Sequence, residues 1–127
     1  MRETKAFKVL SDETKMRVLN LLLERECCVC EVMQALEISQ SKASRGLSAL
    51  YDAGFLQLKK EGLWSLYSID KESISGYQSQ LIEAAREALK NNKIAAQDKE
   101  RLKKAERVGA RCVSSLERGV SCKTASL

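Results

Sequence analysis

Three thiols, Cys27, Cys28 and Cys30, stand within four positions of the stretch ECCVCE, in a chain that has no histidine. Thiolates select soft or borderline ions, and without imidazole every histidine-based metal site is excluded. Neighbouring thiols could also oxidise, or close into disulfides. The chain has five cysteines, an odd count that a closed disulfide framework cannot use up. The two others, Cys112 and Cys122, lie in a stretch of small and polar residues near the end of the sequence. A soft-ion site and a redox switch remain, and the flanking elements must decide between them.

Those elements read as helices. Residues Thr4 to Leu23 carry Phe7 and Leu10 on one stripe, continued by Met16, Leu19, Leu22 and Leu23 at three-to-four spacing. Ser11 is expected to cap the second of two helices there, with Asp12 and Glu13 in its first turn, where the dipole favours negative charge. After the thiols, one short segment is expected to bury Val32, Ala35 and Leu36. A second should bury Ala43, Leu47, Leu50 and Tyr51. Only Glu37 and Ile38 separate the two, and Ser39 is placed to cap the second. Two helices joined so tightly form a helix-turn-helix signal.

Gly54 ends the second segment. FLQLKKEGLWSLYSI then alternates apolar and polar residues about Lys60-Glu61-Gly62, which predicts a hairpin with Gly62 in its turn. The expected fold class is mainly α with a small β-hairpin, a winged helix-turn-helix. A further helix over Ile74–Leu89 shows Ile74, Tyr77, Leu81, Ala84, Ala85 and Ala88 on one face. Asn91-Asn92 interrupts it, and IAAQDKERLKKAERV follows as a charged helix with Ile94, Leu102, Ala105 and Val108 to bury. Residues 1–90 are read as the winged-helix domain. Residues 91–127 are read as a charged helical extension and a flexible tail.

The 127 residues carry a net charge of +5 and no proline. The positive excess favours polyanionic partners. No apolar run approaches the ~20 residues needed to span a bilayer, and the first residues form no secretory signal. The expected location is the cytoplasm, where thiols stay reduced, with no membrane partner. Without histidine, a glycine-rich phosphate loop or a nucleophile beside a base, nothing points to an enzyme.

On a helix from Gln40 to Tyr51 the apolar stripe turns inward. The opposite face then presents Gln40, Ser41, Ser44, Arg45 and Ser48, with Lys42 at the flank and Ser39 at the start. Gln suits adenine, Arg suits guanine or phosphate, and serine hydroxyls suit either bases or phosphates in a major groove. Lys59 and Lys60, near the hairpin tip, can meet neighbouring phosphates and fix register. Double-stranded DNA is the expected partner.

With those segments in order, AFKVLSDETKMRVLNLLLE, ECCVCEVMQAL, SQSKASRGLSALYDAGFL and KKEGLWSLYSI, the chain resembles the ArsR/SmtB family of metal-responsive repressors over about residues 5 to 90. The resemblance implies a homodimer joined through the first and last helices of the domain. It also implies that operator DNA is held without effector and released when a metal or metalloid binds. One departure is Ser44-Arg45-Gly46-Leu47, where the family often has histidine after the arginine. A glycine inside a helix costs about 0.5–1 kcal/mol relative to alanine, so Gly46 is read as marking a flexible reading head or altered operator contacts.

The arsenic-sensing branch of that family typically carries ELCVCDLC ahead of the recognition helix. Cys28-Val29-Cys30 matches its C-x-C core, and Glu26 and Glu31 match its flanking acids approximately. Its third thiol falls on Met33 here, and Cys27 replaces the leucine. The resemblance therefore implies Cys28 and Cys30 as ligands, with Cys27, Cys112 or Cys122 completing the set. Trivalent arsenic or antimony suits three thiolates, so arsenite or antimonite is the expected inducer. Cadmium or lead, a thiol-redox response, and a zinc-stabilised interaction module that binds no DNA are the competing readings.

Two residues apart on a regular helix are separated by about 200°. Cys28 and Cys30 are accordingly expected to grip one ion only by bending the first turn of their helix, whose other end adjoins the DNA-reading helix. Such a distortion would couple the two sites.

Overall fold

The computed structural model describes residues 1–108, so Cys112 and Cys122 lie outside the described residues. Six helices and one hairpin follow in the order α1 (Arg2–Leu10), α2 (Glu13–Glu24), α3 (Val29–Leu36), α4 (Gln40–Asp52), β1 (Leu56–Glu61), β2 (Trp64–Ile69), α5 (Gly76–Leu89) and α6 (Lys93–Lys104). This is the winged helix-turn-helix expected from the sequence.

The core is built where α2, α3 and α4 meet. Val18, Leu19, Leu21 and Leu22 of α2 pack with Val32, Ala35 and Leu36 of α3 and with Ala43, Leu47 and Leu50 of α4. Phe55, next to the start of the hairpin, is fully enclosed with them. Tyr51 departs from the expected stripe and is 47% exposed, because the α4 face turned inward is completed by Gly46 rather than by the last turn.

The boundary between α1 and α2 lies one residue later than expected. Asp12, not Ser11, is the N-cap of α2: its backbone is extended and its carboxylate accepts from the Lys15 N–H at 3.0 Å. Ser11 instead closes α1, its hydroxyl donating to the Lys8 carbonyl at 2.7 Å. The buried residues of α1 are Ala6 and Val9, whereas Phe7 is 58% exposed. On α5 the inner positions are Gln78, Ile82 and Ala85. Tyr77 and Leu81 are half-buried, and Ala84 and Ala88 are exposed. In the single chain, the face predicted for this helix is therefore largely uncovered.

The turn between α3 and α4 is as short as predicted. Glu37 makes it possible by adopting the left-handed conformation (φ 56°), and Ser39 then caps α4 by accepting from the Lys42 N–H at 3.2 Å. Gly54, after α4, has φ 88°, and a Cβ there would lie 2.8 Å from the Gln78 amide nitrogen. That nitrogen is engaged, donating to the Ala53 carbonyl at 2.8 Å, so the site admits only glycine.

The hairpin pairs Leu56 with Ile69 at its base and Glu61 with Trp64 at its tip. Its two-residue loop is Gly62-Leu63, with Gly62 at φ 61°, a position that requires glycine in this class of turn. Beyond α5, Asn92 caps α6 by accepting from the Ala95 N–H at 3.0 Å. Leu102 is buried as expected, but Ile94 is 44% exposed and the other inner positions are Ala95 and Asp98. The helix is docked through a charge. Asp98 receives Arg17 of α2, and Arg101 donates through Nε to the Ala35 carbonyl of α3 at 2.6 Å.

Candidate functional site

The α4 face presents Ser41, Lys42, Arg45 and Ser48 exposed, with Ser39 exposed at the cap. Gln40 and Ser44 are half-buried and joined to each other, the amide donating to the hydroxyl at 2.8 Å. Gly46 has a packing role rather than the flexibility read from the sequence. It is buried against α2, and a Cβ there would come within 3.2 Å of Val18 Cγ2. The absent side chain lets α2 and α4 approach closely. Lys59 and Lys60 are exposed on the far half of β1, Lys59 beside Glu61 at 3.5 Å.

Two residues missed in the sequence belong to this surface. Thr14 and Lys15, in the first turn of α2, line one shallow depression with Asp12, Lys42, Arg45 and Gly46. Lys15 is 4.0 Å from Asp12, a partly exposed pair worth little on its own. No periodicity could place Lys15 there, because its proximity to Arg45 depends on the crossing of α2 and α4.

The three clustered thiols are all buried, but they divide between two environments. Cys27 faces the main core. Its backbone forms an isolated bridge with Tyr67 of β2, the two N–H groups donating to the opposing carbonyls at 3.0 and 2.9 Å. Cys28 and Cys30 instead share a small separate cluster with Leu66 and Val108, with Trp64 packed against it.

Cys28 is not on the regular helix. It is the N-cap of α3, with extended backbone (φ −93°, ψ 170°), and Cys30 follows in the first turn. The two sulfurs are therefore not held about 200° apart by a regular helix. A capping box closes the helix start, with the Glu31 carboxylate accepting from the Cys28 N–H at 3.0 Å. The Cys30 sulfur receives the Gln34 amide at 3.2 Å.

Glu31 organises the charge here. Its side chain is 2% exposed and is met by Arg25 and, at 3.0 Å, by Arg107. Burial alone would raise its pKa, but the Cys28 N–H and the two guanidinium groups together hold it below the ordinary carboxylate value. The thiols move the other way. Burial pushes Cys27 up to about 12 and Cys28 up to about 11, and it also raises Cys30.

Among the described residues no group of three His, Cys, Asp or Glu side chains is arranged to hold a metal ion. Cys28 and Cys30 are the two thiols that the fold brings into one small buried cluster. Cys27 belongs to the other cluster. No described helix is long and apolar enough to cross a membrane.

Residues 12–57, from the start of α2 into β1, match the family described as "Bacterial regulatory protein, arsR family". The chain is 45% identical over 67 residues to "Arsenic resistance transcriptional regulator ArsR1" of Pseudomonas putida, a match covering 52% of each chain, so it spans about half of that relative's length. It is 40% identical over 86 residues to "Cadmium resistance transcriptional regulatory protein CadC homolog" of Staphylococcus aureus, covering 67% of this chain and 68% of that one. Among solved structures, reduced HlyU from Vibrio cholerae N16961 superimposes with a TM-score of 0.58 at 26% identity, covering 68% of this chain and 87% of that one.

Proposed function

Since the chain belongs to the arsR family of bacterial regulatory proteins, a family of regulators rather than enzymes, we propose that it is a cytoplasmic, dimeric repressor that leaves its operator when arsenite or antimonite binds Cys28 and Cys30. The observation that carries this reading is the enclosure of those two thiols in one small cluster at the start of α3, the helix whose end lies three residues before the DNA-reading α4. In the operator complex, α4 lies in the major groove with Arg45, Ser41, Ser44, Ser48, Gln40 and Lys42 towards the DNA. Lys59 and Lys60 hold adjoining phosphates, and Ser39 keeps the helix capped.

The environment of the thiols favours a neutral trivalent inducer. Arsenous acid carries no charge and reacts with protonated thiols. Two As–S bonds form, two As–O bonds break, and the two thiol protons depart with the hydroxides as two water molecules. A divalent cation must instead expel the protons into solution, against burial that disfavours thiolate, and it must do so beside Arg25 and Arg107. The third thiolate is Cys112 or Cys122 in this reading, from the same chain or its partner, rather than Cys27. Cadmium stays as the second reading because of the CadC-type relative.

Operator binding is measured by fluorescence anisotropy, with arsenite, antimonite, cadmium, zinc and peroxide titrated in parallel. Arsenite and antimonite are expected to release the parent protein. Cys28→Ser and Cys30→Ser should bind DNA as the parent does but fail to let go. Normal release from both variants would overturn the thiol assignment, and release by cadmium alone would select the second reading. Truncation after Val108 decides the third ligand: a lost response assigns Cys112 or Cys122, and a retained one removes both.

A further inference from the structure

The residues that follow α6 pack over the thiol pair. Gln34 of α3 clasps the Glu106 backbone, its amide donating to the carbonyl at 2.8 Å and its oxygen accepting from the N–H at 3.1 Å. Arg107 reaches buried Glu31 at 3.0 Å and Glu26 at 3.8 Å. Val108 is buried on Cys28, Cys30 and Leu66, and its N–H donates to the Cys30 sulfur. Its carbonyl accepts from the Trp64 indole at 2.7 Å. Residues 105–108 are thus a strap that joins the sensor helix to the wing.

The wing side of this junction leads directly to the DNA-facing strand. Leu66 pairs across the hairpin with Lys59, and Trp64 pairs with Glu61. The two wing side chains that cover the thiols therefore share the hairpin register with the segment bearing Lys59 and Lys60. Cys28, Cys30, Leu66 and Val108 are all nearly solvent-free, and a packed interior holds no spare volume for an added atom and its remaining ligand. Something must move. Leu66 is held by the hairpin ladder and the cysteines by the helix start, whereas the strap belongs to no helix or strand.

We propose, resting on the thiol-inducer reading above, that a thiophile joining Cys28 to Cys30 lifts Val108, breaks its bond to Trp64 and so cuts the strap's link between the wing and the sensor helix, leaving the Cys27–Tyr67 bridge in place. Release then has two arms, one through α3 into α4 and one through the strap into the wing. Both start from the same occupied pair, and the second needs no deformation of α3.

Trp64 is the single tryptophan of the chain and reports on its own contact. The full chain is titrated with arsenite while Trp64 emission and binding heat are followed together. Emission is expected to move to the red with the same midpoint as the heat, and Cys30→Ser should abolish both. Heat with unmoved emission overturns the strap and leaves the thiol reading standing, whereas no heat overturns both. In Trp64→Phe an aromatic ring is kept and the indole donor is lost. Its arsenite-induced fall in operator affinity should be smaller than the parent's by about five-fold, the worth of one hydrogen bond. An undiminished fall overturns the proposal.

Discussion

Arg17 on α2 holds Asp98 on α6 through two bonds of 2.8 Å, one from Nε and one from Nη2, and the Asp98 side chain is completely enclosed. Arg101 adds a third bond to the same carboxylate at 2.9 Å. This pair sets α6 against the winged helix, and α6 in turn offers the Leu102 carbonyl to Arg25 at 3.0 Å and leads into the strap. Removing one member of a buried pair costs more than the pair contributes, because the remaining charge stays desolvated. Asp98→Ala is expected to destabilise the protein by about 3 kcal/mol, the low end of the range for buried pairs because Arg17 keeps some solvent contact. Urea unfolding at neutral pH measures it. A loss within about 0.5 kcal/mol, the usual scatter of surface substitutions, would mean that apolar contacts alone dock α6.

The thiols and Glu31 set opposite limits on pH. Cys28 is raised by burial from 9.0 to about 11, so its contribution to stability is complete below pH 9.0 and is lost as pH rises through about 11. Cys27 acts in the same direction, from 9.0 to about 12. Glu31 is held below 4.5, so its contribution is present above 4.5 and is lost as pH falls through the lower, folded value. Unfolding free energy should therefore be flat across neutral pH and fall on both sides. Cys28→Ala should soften the alkaline fall in a series of urea melts between pH 7 and 11. If its alkaline limb matched the parent's, burial of that thiol would not be the cause.

The salt dependence of operator binding separates phosphate contacts from base contacts. Each phosphate neutralised adds about 0.9 to the slope of log affinity against log salt. Lys15 shares its depression with Lys42 and Arg45, so Lys15→Ala should lower that slope by about 1 and weaken binding to all operators alike. Arg45→Ala should weaken binding as well, and a change of preference among operator variants would identify Arg45 as a base contact. An unchanged slope in Lys15→Ala removes α2 from the interface.

What the sequence made legible follows from periodicity and capping. The helix-turn-helix, the cap at Ser39, the turn glycine at position 62 and the inward residues of α3 all depend on residues within a few positions of one another. The cap falls on Asp12 rather than on the expected Ser11 because both residue types cap well and Ser11 closes the helix before it. Cys28 and Cys30 were legible as a pair, but their geometry was not. Whether Cys28 belongs to the helix or caps it depends on the extended connection that bridges Cys27 to Tyr67. Gln34, Arg107, Val108 and Trp64 were missed as parts of the site. Their contacts join positions 44 to 76 apart, and no local pattern encodes such a distance.

The uncovered faces of α1 and α5 bear on assembly. Phe7 is 58% exposed, Ala84 and Ala88 lie in solvent, and Tyr77 and Leu81 are only half-covered, although their spacing along α5 is that of a buried stripe. Apolar residues grouped in this way on two adjoining helices mark a surface that meets a partner. In the dimer proposed above this surface would meet a second copy of the chain, which would set two copies of α4 on two operator half-sites. A charge at the centre of that surface must then be buried without a counter-ion when two copies associate. Leu81→Glu is expected to shift the protein to monomer in sedimentation equilibrium, with its helical circular dichroism kept. Operator affinity should fall by about 100-fold or more, because the linkage between the half-sites is lost. If the variant sediments as a dimer, α5 does not carry the interface.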